Sequence, residues 1–284
     1  MGEILSGLET MGLKDLCGLD VFAPEEKKED TVKKTVTVKT QEIQEKDYLF
    51  DKTVECVCCG NLFKEKTIRS GKARMISQDV DLRPRYENID TLKYGVTACP
   101  LCGYAALTRD FERLGSGQAK LIKDKISVSF TGLKDYGDTY NYSEAIARHK
   151  LALANTVVKH GKLSEKAYLC LMLGWLARGM NETAPENLPD RAKIKARLAA
   201  EEEAYLAKAA EGFTEAFTKE NFPFYGMDEN TSMFLVAALY YETGKYEESL
   251  RWASRIITNR AVPDRIKERA RVLKETISET KGIE

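Results

Sequence analysis

The chain has 284 residues, of which 43% are hydrophobic and 31% charged, and its 44 basic side chains are matched by 44 acidic ones. No apolar run reaches the roughly 20 residues of a membrane helix, and Met1 to Cys17 lacks the basic start and continuous apolar stretch of a signal peptide. The balanced charge argues against a dedicated nucleic-acid binder. The odd count of seven cysteines fits thiols in a reducing compartment better than a secreted disulfide framework, so the expected location is the cytoplasm.

Charge is unevenly spread. Residues 1–50 hold 7 basic against 11 acidic groups, a net of −4, whereas residues 51–125 hold 14 against 10, a net of +4. Ile4, Leu5, Leu8, Met11 and Leu16 fall near helical spacing, which leaves two readings of residues 3–16: a docking helix or a disordered leader. As a docking helix they would be a removable plug or a partner-binding motif. Glu25 to Lys46, after Pro24, is rich in Glu, Lys, Thr and Gln and reads as a linker.

From Tyr48 to about Lys125 lies a metal-binding pattern. Cys56-Val57-Cys58-Cys59-Gly60 and Cys99-Pro100-Leu101-Cys102-Gly103 each end in a C-x-x-C-G turn, with β-like stretches at Thr53 to Cys56 and Leu92 to Ala98 leading into them. Four thiolates so spaced predict one structural zinc site on Cys56, Cys59, Cys99 and Cys102, because protein sulfur then fills every tetrahedral position and leaves none for water or substrate. Cys58 is an alternative to Cys59. Gly60 favours Cys59, since glycine relieves the tight turn in which backbone amides face the sulfurs. Thirty-nine residues separate the turns. Doubling a loop costs only about 0.6 kcal/mol, against roughly 10–16 kcal/mol for binding structural zinc, so the long insert is tolerable. Cys17 and Cys170 read as bystanders.

The insert carries Lys64, Lys66, Arg69, Lys72, Arg74, Arg83 and Arg85 beside Asp79, Asp81 and Tyr86. Such a run either grips phosphates, with Tyr86 stacking on a base, or forms a solvated, salt-bridged face, and the second is the commoner use. Gly115-Ser116-Gly117 lacks the G-K-[ST] ending of a phosphate loop and reads as a plain loop.

Beyond Asn141 the pattern is helical. Helices are expected at Ser143 to His160 and Ser164 to Met180, each with serine at the N-cap. A third runs to about Lys219 after the proline-bearing loop Asn181 to Asp190. Met233 to Tyr241 is apolar all round and belongs inside a helical layer; Tyr246 to Thr258 follows Gly244, and Pro263 starts a last helix with a stripe of Ile266, Ala270, Leu273 and Ile277. Residues 233–258 have tetratricopeptide order, with small Ala237 and Ser249 where two helices cross, although no fixed 34-residue period runs through the chain.

Catalytic patterns are missing from the sequence. His149 and His160 are the only histidines and lie about 16 Å apart on one helix, too far to share a metal. There is no H-E-x-x-H and no nucleophile elbow, and the carboxylates Asp79 and Asp81 read as charge partners.

Phe50-Asp51-Lys52 through Cys59-Gly60, Arg69-Ser70, Asp79-Val80-Asp81, Tyr86 and Cys99 through Ala106 resemble the bacterial domain-of-unknown-function family 2225, as do Gly226 to Glu229 and Gly244 to Leu250. The resemblance covers about residues 48–275. It implies a bacterial, cytoplasmic protein with a zinc-ribbon-like start and a tetratricopeptide-like helical end, and it implies no activity. Val57 stands where the resemblance leads one to expect proline. The expected architecture is α+β: a segment and linker over 1–46, a zinc-binding module with the basic insert over 47–125, and a helical repeat domain over 126–284. The expected role is a non-enzymatic adaptor that binds another protein and no membrane; the alternative is a nucleic-acid-binding regulator using the basic insert.

Overall fold

The architecture, taken from a computed structural model that describes residues 44–133 and 137–282, is a set of three small antiparallel hairpins followed by helices. Residues 3–16 and most of the linker lie outside the described residues. Strand β1 (Leu49–Glu55) pairs with β2 (Leu62–Ile68), β3 (Met75–Gln78) with β4 (Pro84–Tyr86), and β5 (Val96–Ala98) with β6 (Ala105–Leu107). The helices are α1 (Ser116–Ile122), α2 (Tyr142–Val158), α3 (Leu163–Thr183), α4 (Arg191–Lys219), α5 (Glu229–Glu242), α6 (Tyr246–Thr258) and α7 (Asp264–Lys281). The chain is therefore α+β. No described helix is long and apolar enough to cross a membrane.

Local chemistry explains most boundaries, with two corrections to the sequence reading. The α2 cap is Asn141 rather than Ser143: its side chain accepts from the Glu144 amide at 2.9 Å. Ser164 does not cap α3 either, because Lys162 holds that position. The Glu220 carboxylate instead accepts from the Leu163 and Ser164 amides, at 2.5 and 3.3 Å. Both solutions satisfy donors that a helix start leaves without partners.

Gly115 to Gly117, expected as a loop, opens α1 and continues into a π turn, Lys123–Ser127. Two glycines mask the helix in sequence; packing supplies what propensity lacks, through fully buried Ile122 and the Gln118 amide donating to the Lys159 carbonyl at 3.2 Å. Leu92 to Tyr94, expected in a strand, belongs to a 3₁₀ turn, and only Val96–Ala98 extends.

The helices pack through small residues. A Cβ on Gly174 of α3 would lie 2.6 Å from Leu206 Cδ2 of α4, and one on Gly212 of α4 would meet Ala167 of α3 at 2.9 Å, so the glycines let two long antiparallel helices close up. In the α5–α6 pair the Ser249 hydroxyl donates to the Ala237 carbonyl at 2.7 Å, the crossing that the tetratricopeptide order implies. The main apolar core is continuous: Val96, Ala98, Ala105 and Leu107 of β5 and β6 belong to the same buried cluster as Leu171, Leu173 and Leu176 of α3 and Leu235 and Leu239 of α5.

Candidate metal centre

The two cysteine turns are the tips of two hairpins with the same backbone. In the first, the Cys56 amide donates to Asn61 O at 2.9 Å and the Gly60 amide to Cys56 O at 2.7 Å. In the second, Cys99 donates to Tyr104 O at 2.8 Å and Gly103 to Cys99 O at 3.2 Å. Gly60 (φ 76°) and Gly103 (φ 73°) both take the left-handed conformation that reverses the chain.

This repeated turn aims four sulfurs at one point. The Sγ atoms of Cys56, Cys59, Cys99 and Cys102 lie within 4.8 Å of one another. Cys56 Sγ is 3.6 Å from Cys102 Sγ, and Cys59 Sγ is 3.7 Å from Cys99 Sγ. These are free thiols, not disulfides. A tetrahedron with metal–sulfur bonds of about 2.3 Å has sulfur–sulfur edges of about 3.8 Å, so the donor set fits a tetrahedral metal ion. Cys58 points elsewhere: it is buried, with its Sγ 3.9 Å from the Ala119 carbonyl of α1.

The thiols do not titrate alike. Hydrogen bonds from Cys102 and then Cys56 hold Cys99 far below the ordinary thiol value, whereas bonding to Cys56 and Cys99, with burial, raises Cys102.

The surroundings brace the second hairpin more heavily than the first. Ser127 Oγ donates to Cys102 O at 2.7 Å and Asn155 Nδ2 of α2 to Gly103 O at 2.9 Å. Glu65 of β2 is buried and bonds both Arg148 of α2 and Tyr140, at 2.5 and 2.6 Å, and accepts from the Ala98 amide at 3.1 Å. This network ties the first hairpin to α2 and β5. Sequence reading passes over Glu65, Arg148 and Asn155, since ordinary charged and amide residues carry no local signal of their distant partners.

Part of the basic insert is neutralised by the protein itself. Arg85 bonds Asp79 and Glu182 at 2.7 and 2.6 Å, and Arg83 bonds Glu182 at 3.0 Å. Asp81 is fully buried and accepts from Trp175 Nε1 at 2.8 Å and Arg178 Nη2 at 2.9 Å. Lys66 faces Asp51, Lys64 donates to Thr53, and Arg69 lies over the Phe50 ring. Lys72 and Arg74 are exposed. The histidines stay apart: His149 is buried, with Nδ1 2.7 Å from Ala145 O, while His160 is exposed beyond α2.

A hairpin pair that presents four convergent thiols, followed by a helical layer, defines a cysteine-cluster protein of mixed α+β class. The chain belongs to the DUF2225 family of uncharacterised proteins conserved in bacteria, whose pattern matches residues 49–277. It is also similar to an uncharacterised protein of Borreliella burgdorferi, 23% identical over 120 residues, which covers 37% of this chain. The match spans 43% of that relative's length. No solved structure matches the chain.

Proposed function

We propose that this protein is a cytoplasmic, non-enzymatic adaptor in which a structural zinc ion, held by Cys56, Cys59, Cys99 and Cys102, fastens the two hairpins, and the helices bind another protein. The observation that carries the reading is the convergence of four thiols: the sulfurs lie within 4.8 Å of one another, with two of the pairs at 3.6 and 3.7 Å, and four-sulfur ligation would leave a metal no open position for substrate. All-sulfur ligation suits zinc and a reducing compartment. On this reading residues 47–125 serve as the zinc module and 126–284 as the scaffold, although they share core.

Support for the scaffold role lies at the far end of the helices. A groove of about 500 Å³ runs between the β3–β4 turn and α7, lined by Phe234, Tyr241 and Leu273 with exposed Val80 and Val272 at its edge. Arg265 and Arg269 border it. Arg269 lies 4.5 Å over the Phe234 ring, and neither arginine has an ion pair among the described residues, whereas neighbouring Glu268 is paired with Arg271 and Asp79 with Arg85. Apolar walls with two unpaired cations suit a peptide bearing apolar and acidic side chains.

Affinity capture with mass spectrometry, with and without nuclease, tests the reading when wild type is compared with the double variant Arg265→Glu, Arg269→Glu. A protein partner that survives nuclease and is lost by the double variant supports it. Capture that vanishes with nuclease moves the assignment to the basic insert and nucleic acid, and capture indifferent to the variant removes the groove.

A further inference from the structure

A second cavity, of about 510 Å³, opens where the loop after β6 meets the α2–α3 turn and the loop before α5. Its wall carries Arg109, Arg113, Lys159 and Lys162 against Asp110 and Glu165. Two of the cations are internally matched: Lys159 Nζ lies 2.7 Å from Glu165, and Arg113 lies 3.4 Å from Asp110. Arg109 and Lys162 have no carboxylate partner among the described residues, so the cavity wall keeps an excess of positive charge.

Arg109 is fixed despite its exposure. Its guanidinium carbon stands 4.2 Å from the Tyr225 ring centroid and 5.0 Å from that of Tyr168, and the two rings stack on each other at 5.0 Å. Nη1 also donates to the Tyr225 carbonyl at 3.0 Å. Tyr225 is positioned by a tight turn in which it (φ 50°) and Gly226 (φ 82°) both adopt positive φ, closed by paired backbone bonds between Phe224 and Met227. Left-handed backbone at a tyrosine is unfavourable, and residues so strained gather at ligand sites. An exposed arginine held by two rings and a carbonyl, with no carboxylate, has lost the freedom that usually makes surface arginines poor binders, and its planar fork matches anionic oxygens.

We propose that this cavity binds a small polyphosphate-bearing ligand, with the Arg109 fork taking one phosphate and Lys162 a second. Two separate unpaired cations call for more than one negative charge, and the volume lies within the range of small-molecule sites. The site is independent of the cysteine cluster and of the adaptor reading.

Isothermal titration of the full-length, metal-loaded protein with pyrophosphate, ADP and citrate near physiological salt tests the proposal. Expected is saturable binding of pyrophosphate or ADP, weakened about tenfold or more by Arg109→Gln and several-fold by Lys162→Gln, and unchanged by Lys193→Gln on exposed α4. Arg109→Lys keeps the charge without the planar fork and is expected to bind between wild type and Arg109→Gln. Tighter ADP binding assigns the ligand to nucleotides, and equal binding assigns it to the free anion. No saturable binding of either phosphate, equal binding of citrate, or retention of affinity in both Arg109→Gln and Lys162→Gln overturns the proposal.

Discussion

The two cysteine hairpins share one local geometry and differ in how much is packed against their turns. A Cβ on Gly60 would meet nothing within 4 Å, and Cys59 and Val57 are exposed. A Cβ on Gly103 would meet the Phe130 ring at 2.7 Å, and the carbonyls on either side of that turn's end are held by Ser127 and Asn155. The second hairpin contributes Val96, Ala98, Ala105 and Leu107 to the main core, whereas the first reaches it through the Glu65 bond to the Ala98 amide; the two hairpins share a smaller core in which the Phe63 ring packs edge-on to Phe111 beside the sulfur cluster. A repeated sequence motif thus specifies its own turn; the position of that turn in the tertiary structure decides how much depends on it.

Removing the metal ligands is expected to have the largest effect. Protein purified without chelator should contain one zinc per chain by elemental analysis, and Cys99→Ser should lose it together with much of the roughly 10–16 kcal/mol that such binding adds to folding. The hairpins should then open while the helical circular-dichroism signal is kept. A lost helical signal would mean that the shared core, not only the metal region, had failed. Cys56→Ser should lose the same metal with a smaller fall in melting temperature than Cys99→Ser, because the first turn has less packed against it.

Next in size is the ion pair that ties the first hairpin to α2. Glu65→Ala leaves buried Arg148 without its carboxylate and Ala98 without an acceptor, a change expected to cost about 3–5 kcal/mol in denaturant unfolding. If the loss were below about 1 kcal/mol, the metal alone would be holding the first hairpin in place.

Acid probes the second hairpin's support. Burial, outweighing the bond to Ala145, pushes His149 down from 6.5 to about 4, and a Cβ on Gly95, just before β5, would lie 3.4 Å from its Nε2. A histidine whose folded value is depressed adds stability that is full above the unfolded value and is lost as pH falls from about 6.5 towards 4, here about 3 kcal/mol. His149→Met should flatten that part of the stability profile relative to wild type. An unchanged slope would assign the acid sensitivity to other groups.

A last comparison, of a difference between two costs, separates the two glycines directly. Gly60→Ala should cost about 1–2 kcal/mol, the left-handed penalty alone, and Gly103→Ala a further 1–3 kcal/mol because the Phe130 ring must move. Equal costs would mean that the ring yields freely and that the two turns are supported alike.

How much was legible in the sequence follows from the range of each interaction. The C-x-x-C-G turns, the boundary at Tyr246 to Thr258 and the Ala237–Ser249 crossing depend on residues within about a dozen positions, and the sequence states them openly. The α1 helix did not show, because its two glycines oppose it and Ile122 and Gln118 stabilise it only against distant groups. The serine caps failed for a related reason: Glu220, more than fifty positions away, does for α3 what a local side chain was expected to do. The insert's arginines showed as charge, while their partners on α3, Glu182 and Arg85 being 97 residues apart, did not.

By itself the sequence determined the turn chemistry and the helical periodicity, because backbone conformation and side-chain spacing are set by neighbours along the chain. Tertiary structure alone decided which thiols meet, since four sulfurs converge only when two hairpins some forty residues apart dock side by side, leaving Cys58 against α1. It decided too that Arg83 and Arg85 are neutralised while Arg109 stands fixed on Tyr168 and Tyr225. The electrostatic work of a charged side chain depends on which groups folding brings within a few ångströms, and that proximity has no local signature.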